Sequence, residues 1–204
     1  MSVKTVSSGS GIGIFSDSTD IGDVTRAGSA SFNSTNGEYA VTGGGANMWD
    51  ASDGFHFVWV KMSGDLTLTA DVKLVGTGGV DHRKACLMIR QSLASNSAYA
   101  DVALHGDGMT SLQFREAEGE PTDQIVMEVS GPERVQIQKR GDEVTIACAK
   151  AGGQWRQGGA RYRIQFKEPF YVGLGVCAHD NDRIEQAIFS NVELKTISAG
   201  TLPS

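Results

Sequence analysis

Residues 81–115, which read DHRKACLMIRQSLASNSAYADVALHGDGMTSLQFR, decide the fold of this chain. They contain three runs of strand-like composition, at 84–91, 98–105 and 109–115, separated by the turn clusters Ser-Asn-Ser and Gly-Asp-Gly. Asp-Gly between two alternating runs is a strong hairpin signal, because both residues accept the backbone of a tight turn. The stretch therefore predicts three consecutive antiparallel strands, a β-meander.

Alternation gives each of these runs two faces, because successive side chains of a strand point to opposite sides of the sheet. One face is apolar in all three runs and is expected to lie against the core: Ala85, Leu87, Ile89, Ala98, Ala100, Val102, Leu104, Leu112 and Phe114. The other face collects polar side chains rich in hydrogen-bonding groups: Arg90, Tyr99, Asp101, His105, Gln113 and Arg115. An ordinary solvated face carries mainly Lys, Glu and Thr, so we expect this second face to carry the function.

Outward from the meander, short runs and turns continue in both directions. Further strands are expected at 30–33, 38–42, 55–60, 66–74, 125–129, 135–139, 144–149, 161–166, 170–178 and 185–194. Helical periodicity is absent almost throughout, and 26 glycines supply the many turns that short strands need. We therefore expect an all-β fold with one domain over 12–197, between flexible tails at 1–11 and 198–204.

Charge and composition limit the partners. The net charge of −6 argues against a nucleic-acid surface, which needs a basic stripe to neutralise phosphates. No apolar run approaches the roughly 18 residues of a membrane-spanning helix, so no membrane partner is expected. The first residues lack the apolar region of a signal peptide, so the chain as it stands is expected to be cytoplasmic, unless it was cut from a longer exported protein.

Three groups of residues leave alternatives open. Cys86, Cys148 and Cys177 lie in apolar strands without a C-x-x-C pair, which favours buried free thiols over a disulfide or a zinc site. Asp17, Asp20 and Asp23 are spaced three apart in a loop-like segment, where they supply either oxygen ligands for calcium or ordinary turn formers. Trp49 and Trp59 are either core aromatics or sugar-stacking platforms.

The run YVGLGVCAH, at 171–179, places two glycines on one face of a strand. Glycine leaves room for another group to approach the backbone closely. We therefore expect a groove with Gly173 and Gly175 as its floor, flanked by Tyr171 and His179.

The chain resembles a known family in five successive segments, ANMWDASDGFHFVW, GDLTLTADV, HRKACLMIRQS, YADVALHGDGMTSLQFRE and PFYVGLGVCAHD. They resemble the concanavalin A-like lectin/glucanase domain found alone or appended to the propeller of bacterial Tol-type biopolymer-transport-like proteins. The segment KACLMIR is also similar to the A-G-L-M-x-R strand of the sandwich domain of some bacterial β-xylosidases. This resemblance implies a jelly-roll sandwich of two curved antiparallel sheets with a concave face. Relatives of this fold include glucanases and lectins, so it implies the fold more than the function.

Carbohydrate binding on the concave face, without catalysis, is the first functional hypothesis. An oligosaccharide or polysaccharide needs hydrogen-bonding groups and an aromatic platform, which the face supplies. The candidate binding residues are Arg90, Tyr99, Asp101, His105, Gln113, Arg115, Tyr171 and His179. The alternative is that Arg90, Arg115 and Asp101 form a structural ion-pair network beneath a covering loop.

A glycoside hydrolase and a protein-interaction module are the other hypotheses. Hydrolysis usually needs two carboxyl groups, and the E-x-D-x-x-E strand of related glucanases is missing from this sequence. Asp101 is the only acidic residue on the inferred concave face and hence the catalytic candidate, with Glu116 and Asp180 at the rims. No cofactor is indicated apart from the calcium alternative, and no pattern determines the oligomeric state.

Overall fold

The computed structural model describes residues 11–77, 79–158 and 161–198. Apart from residues 11 and 198, the tails expected from the sequence lie outside this part of the chain. Over the described residues the chain forms strands only, and it has no helix long and apolar enough to cross a membrane. The strands are β1 (Asp17–Ile21), β2 (Ser29–Asn33), β3 (Glu38–Gly43), β4 (Met48–Trp49), β5 (Ser52–Asp53), β6 (Phe55–Met62), β7 (Asp65–Leu74), β8 (Lys84–Arg90), β9 (Tyr99–His105), β10 (Thr110–Arg115), β11 (Asp123–Val126), β12 (Arg134–Arg140), β13 (Glu143–Ala149), β14 (Arg156–Gln157), β15 (Tyr162–Arg163), β16 (Phe170–Cys177) and β17 (Glu185–Ile197).

Two antiparallel sheets form a sandwich. One has the order β1-β6-β16-β8-β9-β10-β11, and the other has the order β14-β13-β12-β7-β17-β3-β2 with β15 beside β13. The predicted meander is confirmed as β8, β9 and β10, in which Tyr99 lies opposite both Arg90 and Arg115. The expected all-β, concanavalin A-like jelly-roll sandwich is therefore confirmed.

The main core lies between the two sheets. Every residue assigned to the apolar face of the meander belongs to it, and so do Leu66, Leu68, Ala70 and Val72 of β7 in the opposite sheet. Period-two alternation therefore predicted the core face correctly, because successive side chains of a strand point to opposite sides of the sheet. The other side of the seven-stranded sheet, which we call the outer face, corresponds to the concave face expected from the sequence.

A small second core covers part of the outer face. Strands β4 and β5 form a separate two-stranded hairpin, the cover hairpin, which lies over this sheet. Its Met48 is fully buried in a cluster with side chains from β6, β8 and β9. The outer face is therefore partly roofed by the chain itself instead of lying open along its length.

Some local expectations were wrong. The segment expected to be a loop at Asp17 is the edge strand β1, whose sequence DSTDI has no apolar alternation to reveal it. The strand expected at 161–166 shrinks to Tyr162–Arg163, which pairs only with the end of β13. The expected free, buried thiols are confirmed, since all three cysteines are buried and unpaired with each other.

The groove expected above Gly173 and Gly175 is occupied by the protein itself. A Cβ added at Gly173 would lie 1.8 Å from the backbone oxygen of Val58, and one at Gly175 would lie 2.7 Å from the Sγ of Cys86 and 3.1 Å from the ring of Phe55. These glycines therefore allow close packing of β16 against its neighbours and leave no room for a ligand.

Candidate functional site

At one end of the outer face, which we call the arginine end, two arginines share one carboxylate. Arg90 donates to Oδ2 of Asp53 at 2.7 Å, while Arg115 donates to Oδ1 at 2.7 Å and to Oδ2 at 2.8 Å. All three side chains are fully buried. Asp53 lies on the cover hairpin and the arginines on the sheet, so this triad fastens the hairpin to the sheet.

The remaining donors of the arginine end are also satisfied. Arg90 donates to backbone oxygens of the 92–95 loop, and Arg115 donates to the carbonyl oxygens of Asp50, Ser97 and Glu120. Tyr99 lies between the guanidinium groups, and its hydroxyl donates to the carbonyl oxygen of Met48 at 3.2 Å. This region is a closed polar network.

Three candidate binding residues thus lie inside the protein. Arg90, Tyr99 and Arg115 have no exposed surface, and their polar groups are hydrogen-bonded inside the protein, so they offer a sugar no free donor or acceptor. The alternative hypothesis of an ion-pair network beneath a cover describes them, but the carboxylate that they surround is Asp53 and not Asp101.

The other end of the outer face, which we call the pocket end, contains an open pocket of about 220 Å³. The cover hairpin borders one side of it, and strands β8 to β11 with the adjacent loops form the rest. Its lining residues are Asn47, Trp49, His82, Lys84, His105, Met109, Gln113, Gln124 and His179. The pocket thus brings together three of the candidate binding residues, His105, Gln113 and His179.

Lys84 and Trp49 form the boundary between sheet and hairpin. The ammonium group of Lys84 donates to Oδ1 of Asn47 at 2.8 Å and to the carbonyl oxygen of Met48 at 3.2 Å. It lies 5.7 Å from the ring centroid of Trp49, within the range of a cation–π contact. Trp49 is half-buried and lines the pocket, so one of the two open interpretations of this residue, an aromatic platform, fits its position.

Three histidine rings lie close together in the lining of the pocket. The ring of His82 lies 5.8 Å from that of His105 and 5.6 Å from that of His179. Nδ1 of His105 lies 3.1 Å from the carbonyl oxygen of Met109, so Nδ1 carries the proton and Nε2 is left as an acceptor. Burial lowers the pKa of His105 to about 4, so this ring is neutral near pH 7. His179 has a φ of 58°, which costs energy for a residue with a side chain.

Buried oxygen atoms without partners lie beside this pocket. Oε1 of Gln113, Oε1 of Gln124 and both carboxyl oxygens of Asp101 have no hydrogen-bond partner among the described residues. Asp101, Gln113 and Gln124 lie directly opposite one another on β9, β10 and β11. Burial raises the pKa of Asp101 to about 8, although nearby Lys84 opposes the shift. Unsatisfied buried polar atoms are rare in native proteins and are often completed by a ligand or water.

The remaining candidates lie elsewhere. Tyr171 packs edge-to-face on Trp59 at 5.1 Å, opposite Arg90, and it does not line the pocket. Asp17 and Asp20 lie in β1 at positions of opposite parity, and Asp20 binds Nδ1 of His56 at 2.7 Å. In the part of the chain that the structure describes, no three His, Cys, Asp or Glu side chains are arranged to hold a metal ion.

A larger cavity, of about 690 Å³, lies on the eight-stranded sheet. The carboxylate of Asp71, one of its lining residues, already accepts from Nε of Arg134 at 2.7 Å and from Nδ2 of Asn191 at 2.7 Å. The pocket end combines an aromatic ring with unsatisfied acceptors, so we take it as the candidate site.

Comparison with known proteins identifies the fold. No protein-family model and no curated protein matches the chain. A functionally unknown protein from Saccharomyces cerevisiae is similar with a TM-score of 0.62 and 15% identity, covering 83% of this chain and 92% of that one. The carbohydrate binding module CBM66 from Bacillus subtilis is similar with a TM-score of 0.53 and 15% identity, covering 92% and 98%.

A mutant of the GH43 protein BlXynB from Bacillus licheniformis is similar with a TM-score of 0.55 and 10% identity. The match covers 79% of this chain but 33% of that chain. This chain therefore corresponds to about one third of the enzyme's length. At such low identities these likenesses show a shared sandwich fold, found in both binding modules and carbohydrate-active enzymes.

Proposed function

We propose that this protein is a carbohydrate-binding domain without catalytic activity and that the pocket end of the outer face is its binding site. The observation that carries the proposal is a set of unsatisfied acceptors, Oε1 of Gln113 and of Gln124, beside a pocket lined by Trp49. A sugar offers hydroxyl groups to such acceptors and an apolar ring face to an aromatic platform. The fold shared with a carbohydrate binding module supports this choice.

Pocket size favours a small contact area. A volume of about 220 Å³ is below the range of about 300–1,000 Å³ that is usual for drug-sized ligands. We therefore propose that one sugar unit enters the pocket while the rest of an oligosaccharide stays outside. Association with a Tol-type propeller in a longer protein stays a prediction of the sequence resemblance.

The test is a thermal-shift screen of the purified protein against a panel of mono- and oligosaccharides, followed by calorimetry on each hit. A ligand at about 100 times its dissociation constant adds roughly 2.7 kcal/mol to the free energy of unfolding, which raises the melting temperature by a few degrees. Trp49→Ala is expected to lose binding. Trp155→Ala, which removes an exposed tryptophan that stacks on Arg134 elsewhere, is the matched control and is expected to keep it. Loss of binding in the control alone would place the site on the other sheet, and a panel without any shift would contradict the proposal.

A glycoside hydrolase is the second candidate, because one observation favours it. With a pKa of about 8, Asp101 keeps its proton near pH 7, as a general acid must. Against this, Asp101 is completely buried, and the carboxylate of Asp53, on the cover hairpin, is held by two arginines. If the protein hydrolyses any glycoside, Asp101→Asn will decide the matter, since retention of full activity would remove Asp101 from the mechanism.

A further inference from the structure

Lys84 is a buried cation that makes no direct ion pair among the described residues. Its exposed fraction is 2%, and it forms no ion pair with any acidic side chain in the described ranges. Its ammonium group has three donors, and the contacts to Asn47 and Met48 account for two of them. Burial lowers the pKa of Lys84, although the nearby carboxyl groups of Asp101 and Asp53 oppose the shift. A buried charge is costly unless it is paired, so this position lacks a direct ion-pair partner.

The side chains around Lys84 do not supply that partner. The described residues that line the pocket include three histidines and two glutamines but no aspartate or glutamate. Asp101, which interacts with Lys84 from beneath the pocket without a direct ion pair, has its pKa raised to about 8 and is mainly neutral near pH 7. The pocket therefore presents one unpaired cation together with neutral donors and acceptors.

We propose that the sugar recognised by this pocket carries an anionic group, as a uronic acid or a sulfated sugar does, and that Lys84 is the ion-pair partner of that group. The inference rests on the proposed carbohydrate-binding function and adds its ligand class. The ring hydroxyls then bind the neutral part of the site, Gln113, Gln124 and Nε2 of His105, and the anion takes the third donor of Lys84.

An anionic ligand explains the lysine better than a neutral one. A hydroxyl group would satisfy the third donor but would leave the charge buried without compensation, whereas an anion satisfies both. Hydrogen bonds to charged groups contribute more than neutral ones, and we expect the anionic sugar to bind roughly 10- to 100-fold more tightly than its neutral counterpart.

The experiment compares matched sugars by calorimetry on the whole chain at pH 7. The probes are the methyl glycosides of glucose and galactose, the methyl glycosides of the corresponding uronic acids, the neutral uronamides of the same shape, and the two 6-sulfates. The uronate and sulfate arms distinguish the two sources of the anion. Lys84→Gln removes the charge but keeps a donor, and Lys61→Gln, an exposed lysine over Tyr171, is the matched control.

The expected result is a preference for an anionic sugar over its neutral and uronamide counterparts. This preference is lost in Lys84→Gln and kept in Lys61→Gln. Equal affinity for anionic and neutral sugars would overturn this inference and leave the proposed function standing, whereas absence of binding by every sugar would overturn both. A preference that survives Lys84→Gln would overturn the role of Lys84. If Lys84→Gln does not fold, a salt titration of the unmodified protein tests the ion pair. The affinity for the anionic sugar must fall as ionic strength rises, while the affinity for the neutral sugar stays constant. Equal salt dependence for the two sugars would overturn the inference.

Discussion

The two ends of the outer face carry similar kinds of side chain but differ in how far these are satisfied. At the arginine end, Asp53 is held by two guanidinium groups, and their other donors bind backbone oxygens. At the pocket end, oxygen atoms of Asp101, Gln113 and Gln124 are buried without partners among the described residues. A polar network that is complete in itself stabilises the fold, while one that is incomplete is expected to receive its partners from outside.

The largest expected effect is at the arginine end. Asp53→Ala leaves Arg90 and Arg115 buried without a carboxylate, so we expect the free energy of unfolding to fall by about 3–5 kcal/mol, measured by urea denaturation. Asp17→Ala, which removes an exposed carboxylate on the edge strand β1, is the control and should change it by less than about 0.5 kcal/mol. A loss at Asp53 as small as that of the control would mean that the triad does not hold the hairpin.

A second effect is the pH dependence of stability caused by Asp101. Its folded pKa of about 8 lies above an unfolded value near 4, so the folded state keeps a proton that the unfolded state releases. The stability that this proton supplies is complete below about pH 4 and is lost as the pH rises towards about 8. Between pH 5 and pH 7 the loss amounts to about 2–3 kcal/mol for a single group.

Asp101→Asn tests this sign directly, because an amide does not titrate and has nearly the same shape. Urea denaturation of both proteins at pH 5, 6 and 7 should show a smaller fall in stability for the variant. Parallel pH profiles would mean that Asp101 titrates normally. Its carboxylate would then have hydrogen-bond partners, and it would not count among the unsatisfied groups of the pocket end.

How much of this was available from the sequence differs between the fold and the site. Alternation in β8, β9 and β10 predicted the core face and the polar face correctly, because each strand has a strict period of two. Alternation does not reveal what covers a face. The strands expected from the sequence leave out residues 43–54, so the cover hairpin and its Asp53 were missed.

The pocket was only partly predictable for the same reason. His105 and Gln113 follow from parity on the polar face, and His179 from its place after β16. Lys84 has the same parity as Cys86 and Arg90, a signal that was present but not used. Gln124 and Asn47 enter the site through β11 and the loop before the cover hairpin, and no local pattern connects these segments with the meander.

A smaller effect should sharpen the contrast between the two ends. Gln113→Leu removes a buried acceptor without a partner, so the free energy of unfolding without ligand should stay constant or rise by up to about 1 kcal/mol, while sugar binding falls. Gln136→Leu is the matched control, because Nε2 of Gln136 donates to Oγ1 of Thr69 at 3.1 Å. Loss of this hydrogen bond should lower the free energy of unfolding by about 1 kcal/mol. Urea denaturation and calorimetry measure the two quantities. Equal losses in both variants would mean that Gln113 is satisfied in the free protein.

The smallest expected effect concerns calcium, the other kind of ligand that unsatisfied oxygens attract. Asp17 and Asp20 point to opposite sides of β1, and Asp20 also accepts from the backbone N–H of Gly28 at 3.0 Å, so these two carboxylates do not converge on one ion. At the pocket end, the cation of Lys84 repels a second cation. We therefore expect no change in melting temperature between calcium and a chelator. Calcium could instead raise the melting temperature of the Asp17→Ala variant but not that of the Asp101→Asn variant. This result would make the buried carboxylate a metal ligand, and the pocket end would then be a cation site instead of a sugar site.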